Sequence, residues 1–131
     1  MREVDKLLSY IQKNLKAPKS QYNNFGNYPF RNKEDILEAV KPLLCDGSYI
    51  NITDEIIFIG DRYYIKSTAS INFQNESVHA IAFARESETK KGMDPAQITG
   101  ASSSYSSKYA LSNLFAIDDT KCMDFIQREE N

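Results

Sequence analysis

The sequence predicts an α+β domain: N-terminal helices, a three-stranded antiparallel β-meander, then one long helix. Three observations carry that prediction. Residues 49–85 are rich in β-branched and aromatic side chains and are broken by two turn signals, Gly60-Asp61 and Gln74–Glu76. Arg62–Phe73 alternates, with Tyr63, Ile65, Ala69, Ile71 and Phe73 to one side and Arg62, Tyr64, Lys66, Thr68, Ser70 and Asn72 to the other. Asp94-Pro95-Ala96-Gln97 then has the form of a helix start: a capping carboxylate, proline at the first helical position and a glutamine three residues on.

From the N-terminus, Val4, Leu7, Leu8, Ile11 and Leu15 fall on one helical stripe, and Pro18 lies beyond it. Residues 16–31, KAPKSQYNNFGNYPFR, read as an ordered loop built from turn chemistry, with Phe25 and Phe30 expected to plug the core. Asn32 caps a second helix that carries Glu34 and Asp35 in its first turn and buries Ile36, Leu37, Val40 and Leu44. Pro42 strains its last turn, and Gly47 lies just past its end. Tyr49–Ile52 and Glu55–Ile59 begin the strands. Val78–Arg85 completes the meander, and its Val78, Ala80, Ala82 and Ala84 face is small enough for a helix to come close. In the helix 95–115, Ile98, Ala101, Tyr105 and Tyr109 follow one stripe, while Gly100, Ser103, Ser104 and Ser107 form a small-residue side. Asp119 or Thr120 caps a short final helix, 121–130. A small sheet leaves two open edges, which invite pairing between copies of the chain.

With 131 residues, the chain fits a single domain, 1–131, with 118–131 as an acidic C-terminal segment. Asp118, Asp119, Asp124, Glu129 and Glu130 face only Lys121 and Arg128 there, so the rest of the chain is close to neutral. A net charge of −2 argues against a uniformly basic nucleic-acid binder and leaves room for a local basic surface. No apolar run is long enough to span a membrane, and the charged, helix-patterned N-terminus is unlike a secretory signal. Cys45 and Cys122 are far apart and read as reduced cytosolic thiols. His79, alternating with Ile81 and Phe83, reads as a strand histidine with no ligand partners at metal spacing. There is no glycine-rich phosphate loop and no Cys–His or Ser–His pairing, so no catalytic residue, metal or cofactor is expected.

Binding chemistry is better represented. In 16–31, bases and aromatics are interleaved: Lys16, Lys19, Tyr22, Phe25, Tyr28, Phe30 and Arg31. Bases grip phosphates, and aromatic rings stack on unpaired nucleobases. Arg62 and Lys66 share a strand face with Tyr64; Lys90 and Lys91 precede a helix start, either to grip a phosphate or as a solvated loop; Lys108, near Ser104 and Leu111 by helical spacing, is placed to reach a backbone groove or a partner's acid. A solvated outer face is the competing account of the strand pair.

Several segments together resemble the Erf family of phage single-strand annealing proteins, the Sak type included. They are LKAPKSQYNNFGNYPFRNKEDILEAVKPLL, GDRYYIKSTASI, AIAFARE and, most specific, KKGMDPAQITGASSSYSSKYALSNLFAIDD. The resemblance implies a non-enzymatic protein that binds single-stranded DNA, anneals complementary strands and forms rings or filaments. It implies a β-β-β-α core whose last helix, here 95–115, lines the DNA groove. Lys108 is then the leading contact, with Tyr105, Tyr109, Tyr28, Arg31, Arg62, Lys66, Lys90 and Lys91 as further DNA-binding candidates. A host or phage single-strand-binding protein is a candidate partner, and the host bacterial cytoplasm the expected location. The family usually reads Ser-Tyr-Ala-Arg-Lys-Tyr-Ala-Leu where this chain has Ser104-Tyr105-Ser106-Ser107-Lys108-Tyr109-Ala110-Leu111. Ser107→Arg is therefore expected to restore a basic pair and tighten binding, with the fold tolerating both it and Lys108→Ala. The alternative reading is an oligomeric scaffold that holds a protein partner and touches nucleic acid weakly.

Overall fold

A computed structural model of the chain describes residues 1–86 and 93–117. The helix α1 (Glu3–Asn14) is followed by a small antiparallel hairpin, β1 (Gln21–Asn23) and β2 (Tyr28–Phe30). Next come α2 (Lys33–Val40), a 3-10 turn (Lys41–Leu43), β3 (Tyr49–Ile59), β4 (Arg62–Phe73), β5 (Glu76–Arg85) and α3 (Pro95–Phe115). One helix thus precedes the small sheet and a second follows it. The expected loop 16–31 contains this hairpin, which the sequence reading did not resolve. The expected helix at 121–130 lies outside the described residues.

The meander is antiparallel with strand order β3-β4-β5. Its register sets Ile71 of β4 between Ile50 and Val78, and Ser67 between Asp54 and Ala82. Gly60 and the pair Gln74 and Asn75 adopt positive φ at the two turns, where reversal in so few residues requires it. The predicted alternation in β4 is borne out: Ile65, Ser67, Ala69 and Ile71 are buried. Tyr63, at the end of the same row, is exposed.

All three helices contribute to a core on this one face of the sheet. It joins Val4, Leu7 and Ile11 of α1, Ile36 and Val40 of α2, Ala69 and Ile71 of β4, and Leu111, Leu114 and Phe115 of α3. The alanine row of β5 does what its size predicts, since α3 lies across β4 and β5. Removing a fully buried side chain such as Leu111 costs about 2–5 kcal/mol, enough to unfold a marginal domain.

Both main caps form as the sequence dictates. Asn32 Oδ1 accepts from the Asp35 N–H at 2.9 Å, while Asp35 Oδ2 accepts from the Asn32 N–H at 2.9 Å. Asp94 and Gln97 close the same box on α3, both bonds at 2.9 Å. Each such cap is worth about 1 kcal/mol. At the far end of α3, Ala116 turns left-handed, and Gln12 of α1 donates to the Leu114 carbonyl at 2.9 Å, which ties two helices together. Pro42 ends α2 by passing it into the 3-10 turn.

Candidate nucleic-acid interface

The face of α3 turned to the sheet is built largely from hydroxyls. Ile98, Ser102, Ser106, Ala110 and Leu114 form the buried stripe, joined by Ser107 and Leu111. Ser67 Oγ donates to Asp54 Oδ1 at 2.5 Å and lies 2.6 Å from Ser106 Oγ and 3.3 Å from Ser107 Oγ. Ser103 also donates to Asp54. A buried hydroxyl without a partner costs about 1–3 kcal/mol. Here Ser67, Ser103, Ser106 and Ser107 are each bonded, and their small size lets helix and sheet approach. Gly100, by contrast, faces open space, so it is not a point of close packing.

This overturns the expectation for Ser107. It is 1% exposed and pressed on β4, so an arginine there would enter the helix–sheet contact instead of a groove. The expected stripe Ile98, Ala101, Tyr105 and Tyr109 also divides along its length: Ile98 is buried, while Tyr105 and Tyr109, farther along the same side of the helix, are exposed.

On that side lies a cleft of about 220 Å³ between α3 and the β1–β2 hairpin. Lys19, Asn23, Tyr28, Pro29 and Phe30 form one wall, and Tyr105, Lys108 and Tyr109 the other. The Lys108 Nζ stands 5.8 Å from the Phe30 ring centre and 5.7 Å from that of Tyr109, within cation–π range of both. Tyr105 and Tyr109 stack with centres 6.3 Å apart and planes 24° from parallel. Phe30 meets Tyr28 edge-on at 6.3 Å. Lys108 is only 8% exposed, a long side chain whose stem is buried while its ammonium reaches the cleft. It is therefore not the surface residue that sequence reading expected, and truncation to alanine removes packing as well as charge. A cleft this small and open is below the roughly 300 Å³ of enclosed small-molecule sites. It suits a chain laid across it.

The remaining candidates lie elsewhere. Arg31 is 8% exposed, and its Nε donates to the Ala17 carbonyl at 2.8 Å, fastening the loop that carries the hairpin. It lines a different recess, with Gln12 and Phe115. Arg62 and Lys66 sit on the sheet face opposite α3: Arg62 Nη2 donates to the Glu86 carbonyl at 3.1 Å, and Lys66 lies in register between Glu55 and Phe83. Lys90 and Lys91 fall outside the described residues. Sequence reasoning missed Asn23 as a cleft residue and had Lys19 only as one base of the interleaved 16–31 stretch, which was the available signal. It also misplaced Phe25, which is fully exposed, and Phe30, which is half-buried in the cleft wall.

Asp35 anchors the hairpin side of the cleft. Partial desolvation pulls its carboxyl upward, but the Asn32 N–H, the bonds from Ser20 and Gln21 and the charge of Arg31 outweigh it. The net result is a carboxyl held below its usual 3.8. Arg2, bonded to Asp5 and Glu76 at 3.0 and 2.8 Å, likewise lowers Asp5. No helix among the described residues is long and apolar enough to cross a membrane.

Comparison with known proteins adds a family. The model of the ERF superfamily matches residues 4–131. The "Essential recombination function protein" of Salmonella phage P22 is 59% identical over 117 residues, which is 89% of this chain and 57% of that relative. The chain thus spans little more than half the length of this curated relative. No solved structure matches the chain.

Proposed function

The chain belongs to the ERF superfamily, and from that premise we propose that it is a non-enzymatic protein of homologous recombination that binds single-stranded DNA and anneals complementary strands. The observation that carries this reading is the cleft, where Lys108 stands between aromatic rings opposite Lys19. Phosphates would meet Lys108 and Lys19, and unpaired bases would stack on Tyr105 and Tyr109. Stacking is indifferent to sequence, as annealing of any complementary pair requires. The near-neutral body means that grip must come from a local site of this kind.

Assembly into a ring or filament is part of the same reading. Among the described residues β3 and β5 each pair on one side only. The β3–β4 tip exposes Ile56, Phe58, Ile59 and Tyr63, with the Phe58 and Tyr63 rings 4.7 Å apart, an apolar cluster suited to a neighbouring copy. A host or phage single-strand-binding protein is the expected partner, the host bacterial cytoplasm the expected place, and no metal or cofactor is called for.

Titrating labelled oligo-dT at several salt concentrations tests the reading. Wild type should bind single strand over blunt duplex and weaken steeply with salt. Lys108→Met keeps the buried stem and deletes the charge, so it should flatten the log–log salt slope by about one and slow annealing. If the folded variant binds and anneals like wild type, the cleft is not the DNA site and the partner-scaffold reading replaces this one. Light scattering should give many times 15.0 kDa; a monomer at micromolar concentration would remove the assembly.

A further inference from the structure

Phe25 stands at the tip of the β1–β2 hairpin with 105% relative exposure, both faces of its ring open. Leaving so large an apolar ring in water forgoes the roughly 1.5–3 kcal/mol its burial would give. The surrounding residues nonetheless fix it there. Asn23 Oδ1 accepts from the Phe25 N–H at 2.9 Å and the Gly26 N–H at 3.0 Å. Asn23 Nδ2 donates to the Tyr28 hydroxyl at 3.1 Å, and Tyr22 donates to Asn27 across the base of the turn. Asn27 takes a left-handed φ of 56°, and Gly26 leaves room for the Tyr28 ring, which a Cβ would overlap. The tip is preorganised, so engaging a ligand there orders little further.

What such a ring meets follows from its setting. Its neighbours are Asn23, Asn24, Gly26 and Asn27, so the apolar area is a single ring in a polar surround. Stable contact between proteins needs about 800 Å² per partner, which this tip cannot supply alone. A flat face of similar size is what it fits. The tip is also continuous with the cleft, because Asn23 and Tyr28, which hold the turn, line the cleft wall as well. We infer that Phe25 is a stacking wedge for an unpaired nucleobase, extending the cleft beyond Lys108 along the same strand. The inference rests on the single-strand reading above.

The chain contains no tryptophan, so Phe25→Trp introduces a lone emitter at the tip. At saturation, oligo-dT should quench it, and an abasic oligonucleotide of equal length should not, since only the former carries bases. Phe25→Ala should bind oligo-dT roughly 5- to 150-fold more weakly with an unchanged salt slope, because stacking is lost and no phosphate contact is. Phe25→Leu, apolar but not planar, should behave like the alanine variant. Equal quenching by both oligonucleotides overturns the inference, as does Phe25→Ala or Phe25→Leu binding like wild type. So does a Phe25→Ala protein of reduced assembly mass and unaltered affinity, which would make the ring a subunit contact. In those cases wild type still binds and the single-strand reading stands; a wild type that binds no oligo-dT removes both.

Discussion

Ser107 and Lys108 follow one another on α3 and end in opposite surroundings. Ser107 is sealed against Ser67 of β4, in a network that ends on the Asp54 carboxylate. Lys108 turns to the hairpin, its ammonium in the cleft within reach of the Phe30 and Tyr109 rings. The contrast teaches that burial and function do not divide along polarity in this helix. The sheet-facing side holds by small hydroxyls, and the cleft side holds its cation by aromatic cover.

The largest effect should come from forcing one side to behave as the other. Ser107→Arg forces a long guanidinium side chain into the closely packed helix–sheet contact, where overpacking costs about 1–3 kcal/mol or more. Urea unfolding should show that loss. A variant as stable as wild type that binds oligo-dT more tightly would mean the side chain escapes to the cleft, and the two sides of α3 would no longer be distinct.

Substitutions that keep to one side should separate stability from binding. Ser67→Ala strips a shared partner from Ser106, Ser107 and Asp54 and should cost about 1–3 kcal/mol of stability with little change in affinity per folded molecule. Tyr105→Ala should do the reverse, weakening oligo-dT binding by about 1–3 kcal/mol per lost stack while leaving the melting temperature close to wild type. Matched melting and binding curves for the pair decide the matter; a Tyr105→Ala protein that melts early but binds normally would assign the tyrosine to the scaffold.

A smaller effect is set by pH. Folded Asp35 titrates below its ordinary 3.8, so the unfolded chain takes up that proton first. Its contribution is complete above that value and fades as pH falls below it. Acid unfolding of Asp35→Asn should therefore show a shallower decline in that window than wild type; identical curves would free the hairpin anchor from this carboxylate. Least of all should follow from Lys66→Ala, since Lys66 lies on the sheet face away from the cleft. Binding should stay within about twofold of wild type by the modest worth of exposed charges, and a large loss would move the DNA path to that face.

Much of the frame was legible because it rests on local chemistry. The Asp94–Gln97 box, the Asn32 cap and the period-two alternation of β4 are written in adjacent residues, and each formed as read. The β1–β2 hairpin was not, since strands of three residues, one holding Pro29, are too short for a periodic signal. The orientation of α3 escaped for a different reason. Its buried stripe contains Ser102, Ser106 and Ser107, and a search for apolar periodicity passes over serines. The clue lay across the sheet, where Ser67 interrupts the apolar row of β4 and Asp54 stands opposite it in register. Lys108, Tyr105 and Tyr109 were singled out from the helix motif and its resemblance to the family, whereas the wall facing them depends on a tertiary contact that no local pattern encodes.

The meander has an odd number of strands, and that parity gives the sheet a direction. With strand order β3-β4-β5 and antiparallel neighbours, the two outer strands run the same way. Joining β5 of one copy to β3 of the next would make a parallel ladder and leave the same two unlike edges at the ends, so growth repeats until curvature closes it. Joining like edges, β5 to β5 or β3 to β3, makes an antiparallel ladder related by a two-fold axis and consumes the edge in a single step. A four-stranded meander would have outer strands of opposite sense, so joining unlike edges would then make an antiparallel ladder, while joining like edges about a two-fold axis would stay antiparallel.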